Sequence, residues 1–179
     1  MKRLTVEEYF AGPETLRPME LVSGIVREPP APLYGHQSIV TRATVLLDLH
    51  VRGHGLGVVC VSPIDVVLDR ESALVVQPDV VFVSAARAEI IHDRIWGAPD
   101  LVIEVLSRRT AVRDTTKKLD WYRQYGVGEC WCIDPHRRTI DVIDCRHTPG
   151  GLSDTYVGPA LVQSRVLPSL TIRAEEFFE

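Results

Sequence analysis

Apolar and polar positions along this chain follow two periods, and the changes of period mark the elements. Thr5-Val6-Glu7-Glu8 has capping-box spacing, so a short helix runs through Phe10 before Gly12-Pro13 stops it. Met19 to Arg27 reads as a hairpin turning near Ser23-Gly24. Pro29-Pro30-Ala31-Pro32 leaves room only for an extended connector. From about His36 to Val51, Ile39, Val40, Ala43, Leu46, Leu47 and His50 recur at helical spacing and predict one buried face. Gly53-His54-Gly55-Leu56-Gly57 follows a helix and precedes a strand, the reverse of a dinucleotide fingerprint, so it reads as a helix stop and turn.

Three apolar runs come next. Val58 to Leu68 is interrupted by Pro63, which suggests a bend, bulge or edge position. Leu74 to Val83 carries Asp79 near its middle, and Asp100 to Leu106 carries Glu104 near its middle. Between them lie a short helix, Ser84 to Ile91, and a loop, His92 to Ala98. A helix of about Val112 to Tyr125 then places Lys118, Trp121, Tyr122 and Tyr125 on one stripe, with Lys117, Asp120 and Gln124 toward solvent. Glu129 to Asp134 and Thr139 to Cys145 read as strands, followed by two short edge strands and a terminal helix, Glu175 to Glu179.

From 36 to 134 the order is helix, three strands, helix, strand. Without full-length crossover helices, the three strands predict an antiparallel meander, extended by one strand through the long helix. The expected class is α/β (α+β), a mixed sheet flanked by helices. At 179 residues, with no repeat or linker, one domain is expected over 1–179. It would comprise an N-terminal helix and hairpin (4–28), a core (36–134) and a C-terminal β extension (135–179).

Composition narrows the partners. No apolar run approaches the roughly 20 residues of a membrane span, and the charged N-terminus lacks the apolar core of a signal peptide, so a cytoplasmic protein is expected. The net charge of −4 argues against polyanion binding through the overall field. Yet between Ser107 and Arg123 six basic residues face two acidic ones, which reads either as a solvated helix face or as a local nucleic-acid patch. Cys60, Cys130, Cys132 and Cys145 follow neither a disulfide framework nor C-x-x-C spacing. A zinc site with His147 is conceivable, but buried free thiols are the simpler account.

The candidate chemistry lies between Gln77 and Lys118. A carboxylate inside a buried apolar run costs several kcal/mol, roughly, unless a cation, a partner or a proton compensates it. On neighbouring strands Asp79 and Glu104 could face each other, and two carboxylates that close repel unless they share a proton or a cation. A hard divalent ion with oxygen ligands suits them, and Lys118 could stabilise charge on a phosphate. Such a set suits phosphodiester hydrolysis. Taken singly, each residue has a plainer reading. Asp79 after Pro78 could cap a turn, Glu104 could pair with an arginine, and Lys118 could pair with Asp114 one turn earlier.

Several stretches carry a family resemblance. They are Leu74-Val75-Val76-Gln77-Pro78-Asp79-Val80-Val81-Phe82-Val83, Gly97-Ala98-Pro99-Asp100-Leu101-Val102-Ile103-Glu104-Val105-Leu106-Ser107, Arg113-Asp114, Lys117-Lys118-Leu119 with Tyr122, Gly126-Val127 with Glu129 and Trp131, and Asp134-Pro135. Upstream, Thr5 to Tyr9, Glu20-Leu21-Val22 with Gly24, and His36 extend the likeness. Together they resemble the Uma-two family of restriction endonucleases, within the PD-(D/E)xK nuclease superfamily, over about residues 4 to 145.

The resemblance implies a restriction-endonuclease-like fold. It implies Asp79 and Glu104 as ligands of Mg2+ (or Mn2+), with the Val105 carbonyl as a further ligand, and Lys118 as the catalytic lysine. The superfamily's usual lysine, two residues after the acid, would fall at Leu106; here the following helix supplies it. Glu20, His36 and Gln77 would line the site, and Arg108, Arg109 and Arg113 would hold flanking phosphates. The expected activity is metal-dependent endonuclease cleavage of DNA, with a homodimer as a natural way to span the duplex. The alternative is a catalytically inactive nuclease-fold protein that binds nucleic acid or a protein. Met19, Ser23 and Ile25 depart from the family pattern, which has Tyr, Asp and Glu there, and the two missing acids bear on a second metal and on full activity.

Overall fold

The computed structural model of the protein describes residues 3–13, 15, 17–107, 113–146 and 153–179, and for 113–115 the backbone alone. The first helix, α1 (Val6–Phe10), starts at a capping box in which the Thr5 hydroxyl accepts from the Glu8 N–H and the Glu8 carboxylate accepts from the Thr5 N–H. The hairpin is β1 (Glu20–Val22) and β2 (Ile25–Arg27). Ser23 and Gly24 make its turn at φ 51° and 79°, the left-handed geometry of a two-residue hairpin loop.

Helix α2 (Tyr34–Gly53) starts two residues before the expected position and buries Ile39, Val40, Ala43, Leu47 and Val51. His50 lies at the margin of that face, with Nε2 at 3.1 Å from the Pro168 carbonyl. After it the chain departs from a simple meander. The run from Val58 to Leu68 splits into β3 (Gly57–Val61) and β4 (Val66–Asp69), and the run from Leu74 to Val83 splits into β5 (Leu74–Val76) and β6 (Val80–Ser84). Pro63 and Pro78 mark the two breaks. Neither can donate to a ladder, so at each the chain leaves one sheet for another. The breaks are tied together where the Ser62 N–H donates to the Asp79 carbonyl at 3.0 Å.

Two sheets result where one was expected. With β7 (Ile95–Trp96), a strand inside the expected 92–98 loop, the small sheet runs β2-β1-β5-β4-β7. The large sheet adds β8 (Leu101–Val105), β9 (Glu129–Asp134), β10 (Thr139–Asp144) and β11 (Ser153–Val157), in the order β11-β10-β9-β8-β6-β3. Within it β3, β6 and β8 are successive antiparallel neighbours, and β9 joins β8 in parallel after α3 (Arg113–Tyr125). The expected helix–three-strand–helix–strand order therefore holds, with the β4–β5 hairpin inserted into it. Beyond β11 the second edge element is a single bridge, Leu161 to Arg173, and the terminal helix is a 3-10 turn at Ala174–Phe177.

Strand alternation divides the core. Leu101, Ile103 and Val105 of β8 join Trp131 and Ile133 under α2. Val102 joins Cys130, Cys132, Tyr122 and Val127 on the opposite face, beneath α3. Glu104 shares the parity of Val102 and so points toward α3. Among the described residues no helix is long and apolar enough to cross a membrane.

Gly57 marks the tightest backbone approach in the large sheet. At φ +151° a Cβ there would lie 2.1 Å from the Val83 carbonyl oxygen and 2.8 Å from the Ser84 Cα. Gly55, at φ +62°, has no atom within 4 Å of its would-be Cβ. Gly55→Ala is expected to cost about 1–2 kcal/mol, from backbone conformation alone. Gly57→Ala adds overpacking and should cost about 3 kcal/mol or more. Urea unfolding midpoints compare the two, and equal losses would mean that β3 and β6 can part without penalty.

Candidate active site

The site forms where the strands of the large sheet end against the small sheet. The last paired residues of β6 and β8 are Val80 and Ile103, so Asp79 and Glu104 come opposite each other one step further on. Asp79 is thus not the mid-strand residue its apolar run suggested. It sits at the bend where the chain returns from β5 to β6, and its Oδ2 accepts the Val105 N–H at 2.7 Å. This is the strand-end role open to an Asp after a proline, but it does not exhaust the carboxylate. His36, in the first turn of α2, places Nε2 at 3.3 Å from the same Oδ2. Among the described residues the His36 Nδ1 is buried without a hydrogen-bond partner.

Glu104 is buried within β8 and is met by two donors from α3. Lys118 Nζ lies 3.1 Å from Oε1 and 3.3 Å from Oε2, and the Tyr122 hydroxyl donates to Oε1 at 2.5 Å. Positions 118 and 122 are one turn apart, so the helix offers both donors from one face. Lys118 also reaches Glu20 Oε1, at 2.8 Å. Glu20 opens β1 of the small sheet, so this ammonium ties the two sheets together. Glu104 pairs with no arginine among the described residues; the Asp114 side chain, the other partner read for Lys118, lies outside them, and Lys118 reaches Glu104 and Glu20.

Gln77 supports the arrangement from behind. Its backbone N–H donates to Glu20 Oε1 at 3.2 Å. Its side chain accepts from the Met19 N–H at 3.1 Å and donates to Asp65 Oδ1 at 3.0 Å, and Asp65 in turn meets Arg94 at 3.3 Å. Gln77 therefore reaches the site through its main chain, while its amide holds the hairpin to the small sheet. Arg108 and Arg109 lie outside the described residues, as does the side chain of Arg113.

The electrostatics follow from three carboxylates sharing one ammonium. The side chains of Glu20, His36, Asp79, Glu104 and Lys118 are each less than a fifth exposed, so their charges interact with little screening. Burial pushes the Glu104 carboxyl up to about 7; Lys118 and Tyr122 pull it down, while Asp79 and Glu20 raise it. Burial alone would lower Lys118, but Glu104, Glu20 and Asp79 outweigh it and hold the amine well above its ordinary range. The two shifts differ in origin: burial leads for Glu104, whereas for Lys118 the surrounding carboxylates overcome it. His36 is drawn upward as well, because Asp79, Glu104 and the Val105 carbonyl together exceed its burial.

The surplus negative charge is what a divalent cation would offset. Among the described residues no three His, Cys, Asp or Glu side chains converge closely enough to cage an ion. The two facing carboxylates, Asp79 and Glu104, suit a hard ion of the Mg2+ type, which takes one or two carboxylates and keeps its waters. Cys130, Cys132 and Cys145 are buried free thiols; burial raises Cys145 to about 12, and its contact with Cys132, together with burial, holds Cys130 well above a thiol's usual range. His147 lies outside the described residues.

Other buried carboxylates show what a structural one looks like. Asp100 accepts the Ser84 N–H at 2.8 Å and faces Arg87 at 3.3 Å. Glu129 accepts from Ser164 Oγ, the Arg165 N–H and Trp131 Nε1 at 2.7, 2.5 and 3.1 Å. Asp144 stands opposite Glu129 in the β9–β10 register, but Arg165 meets both, its guanidinium lying 2.7 Å from Asp144 Oδ2. What the sequence reading missed was the hydroxyl of Tyr122. The available signal was a tyrosine, where phenylalanine would pack as well, one helical turn beyond Lys118.

The metal-free protein carries a testable cost. The folded pKa of Glu104, about 7, exceeds its ordinary value of 4.5, so the folded state holds the proton more tightly than the unfolded chain. The cost is absent below pH 4.5, grows as pH rises from 4.5 toward 7, and is full above that. The Tm difference between Glu104→Gln and wild type, both metal-free, is therefore expected to shift in the variant's favour as pH rises from 4.5 to 8, on top of a pH-independent cost of taking a partner from Lys118. Scanning calorimetry with chelator present at both pH values checks this, and a difference that stays constant or falls would contradict it.

Comparison with known proteins gives a family and a fold match. The model of a family described as “Putative restriction endonuclease” matches residues 6–175. A crystal structure of a “putative nuclease belonging to DUF820” from Anabaena variabilis ATCC 29413 superposes with a TM-score of 0.80 at 20% identity, covering 98% of this chain and 97% of that one. None of the curated proteins is similar enough to count as a match.

Proposed function

Because the chain belongs to the Uma2 family, described as “Putative restriction endonuclease”, we propose that it is a Mg2+-dependent endonuclease that hydrolyses phosphodiester bonds of DNA. The observation that carries this reading is the buried set of three carboxylates around one lysine, with Asp79 and Glu104 opposite each other at the sheet ends. Asp79, Glu104 and the Val105 carbonyl would hold the ion, which when bound would polarise the scissile phosphate and lower the pKa of water.

The protein's own groups do the rest. Lys118 enters from α3 already charged and anchored by Glu20, so it can lend its ammonium to a phosphate oxygen without being ordered first. His36 and the Val105 N–H fix the orientation of Asp79. Arg108, Arg109 and Arg113 would hold neighbouring phosphates, a sequence-independent and salt-sensitive contribution. A homodimer would bring two such sites to one duplex.

The inactive-module reading draws on the departures at Met19, Ser23 and Ile25. Ser23 forms the hairpin turn, three residues from Glu20, or about 10 Å along the strand by its rise. Acids absent there leave Glu20, Asp79, Glu104 and Lys118 untouched, which favours the active reading for these residues.

Nicking of supercoiled plasmid in Mg2+ or Mn2+ tests the proposal. Asp79→Asn, Glu104→Gln and Lys118→Met are each expected to lower the rate by at least about a hundredfold, the scale of losing one electrostatic catalyst. Wild-type protein that leaves varied DNA substrates intact, with either metal present, would sink the hydrolytic reading.

A further inference from the structure

Glu104 is held by its surroundings before any ligand arrives. Oε1 accepts two donors, the Tyr122 hydroxyl at 2.5 Å and Lys118 Nζ at 3.1 Å, whereas at Oε2 the same ammonium lies at 3.3 Å. The two oxygens are thus unequal, and the inequality comes from Tyr122. Without it the lysine would sit nearly astride the carboxylate, which could rotate between its oxygens at little cost. The tyrosine is itself immobile: it is fully buried, and its ring packs in the cluster beneath α3 with Val102, Val127 and Cys130. Burial and the Glu104 charge keep its hydroxyl protonated, so it can serve Glu104 only as a donor.

We propose that Tyr122 is a positioning residue for Glu104: its hydroxyl fixes the rotation of the carboxylate, so that Glu104 meets a divalent cation already oriented. The inference rests on Asp79 and Glu104 forming a cation site, and not on what that site hydrolyses. Donors that orient ligating carboxylates typically contribute 10- to 100-fold in metal affinity. A purely structural tyrosine would contribute through its ring, and the ring is retained in phenylalanine.

Mn2+ titration of the purified protein, read as free Mn2+ by electron paramagnetic resonance, separates these roles. Tyr122→Phe is expected to raise the Mn2+ Kd at least about tenfold. Tyr125→Phe, which removes a hydroxyl bonded to Asp69 at 2.9 Å from the same helix, is expected to leave the Kd unchanged. In nicking assays Tyr122→Phe should shift the Mn2+ concentration for half-maximal rate, while the rate at saturating Mn2+ stays close to wild type. Tyr122→Met, which also fills space without a hydroxyl, serves if the phenylalanine variant does not fold by circular dichroism. A Tyr122→Phe Kd equal to wild type overturns the proposal, as does wild-type protein that binds no Mn2+. Wild type that binds Mn2+ and cuts nothing overturns the hydrolytic reading alone, and a weakened Tyr122→Phe Kd then still supports this one.

Discussion

The structure turns on a single ammonium group shared between two sheets. Lys118 meets Glu20 of the small sheet and Glu104 of the large one, each within 3.1 Å. A buried pair of this kind gains little net stability, because desolvation of both ions offsets their attraction. What it does supply is registration. The lysine fixes where the N-terminal hairpin stands relative to β8, and it does so at the point where the carboxylates crowd. The remaining carboxylate, Asp79, is met by His36 rather than by the lysine. A structure that only needed to fold would replace such a cluster with apolar side chains.

The two prolines explain how the cluster comes together. A continuous strand through Asp79 would have placed it deep in the sheet, with its neighbours on alternating faces. Pro78 instead ends the excursion into the small sheet and delivers Asp79 to the end of β6, opposite Glu104. Pro63 makes the outgoing break, and the Ser62–Asp79 hydrogen bond clamps the two crossings together. Gln77, between the sheets, joins Met19, Glu20 and Asp65 in one hydrogen-bonded group. The site is therefore built on strand ends held by main-chain contacts, which is where rigid geometry is available without burying an irregular backbone.

The legible and illegible parts of the sequence differ for physical reasons. Elements governed by local chemistry could be read directly: the Thr5 capping box, the Ser23-Gly24 turn, the α3 stripe and the β9 strand all depend on residues close in sequence. The partition of two apolar runs between two sheets could not, because Val58 to Leu68 and Leu74 to Val83 look alike whether they bend or continue. Only the prolines hinted at it, and a proline alone does not distinguish a bulge from a change of sheet. At the site, Asp79, Glu104 and Lys118 stood out as charges in apolar surroundings. Gln77 could be named as lining the site, but not its hydrogen bonds to Met19 and Asp65, and Tyr122 reads only as part of the packing stripe, where a tyrosine leaves no anomaly in hydropathy.

The approach of Lys118 to Glu104 from the helix has a geometric rationale. Leu106 and Glu104 are two residues apart on one chain, so their side chains emerge on the same face, the one that α3 covers. A group delivered to Glu104 can therefore come along the strand from position 106 or down from the helix above it. In this chain Leu106 packs among the apolar residues beneath α3, and Lys118 descends to the carboxylate from the helix. Position 122 lies one turn further along the same face, so the stripe that α3 turns toward the sheet delivers both donors to Glu104, the ammonium and the hydroxyl.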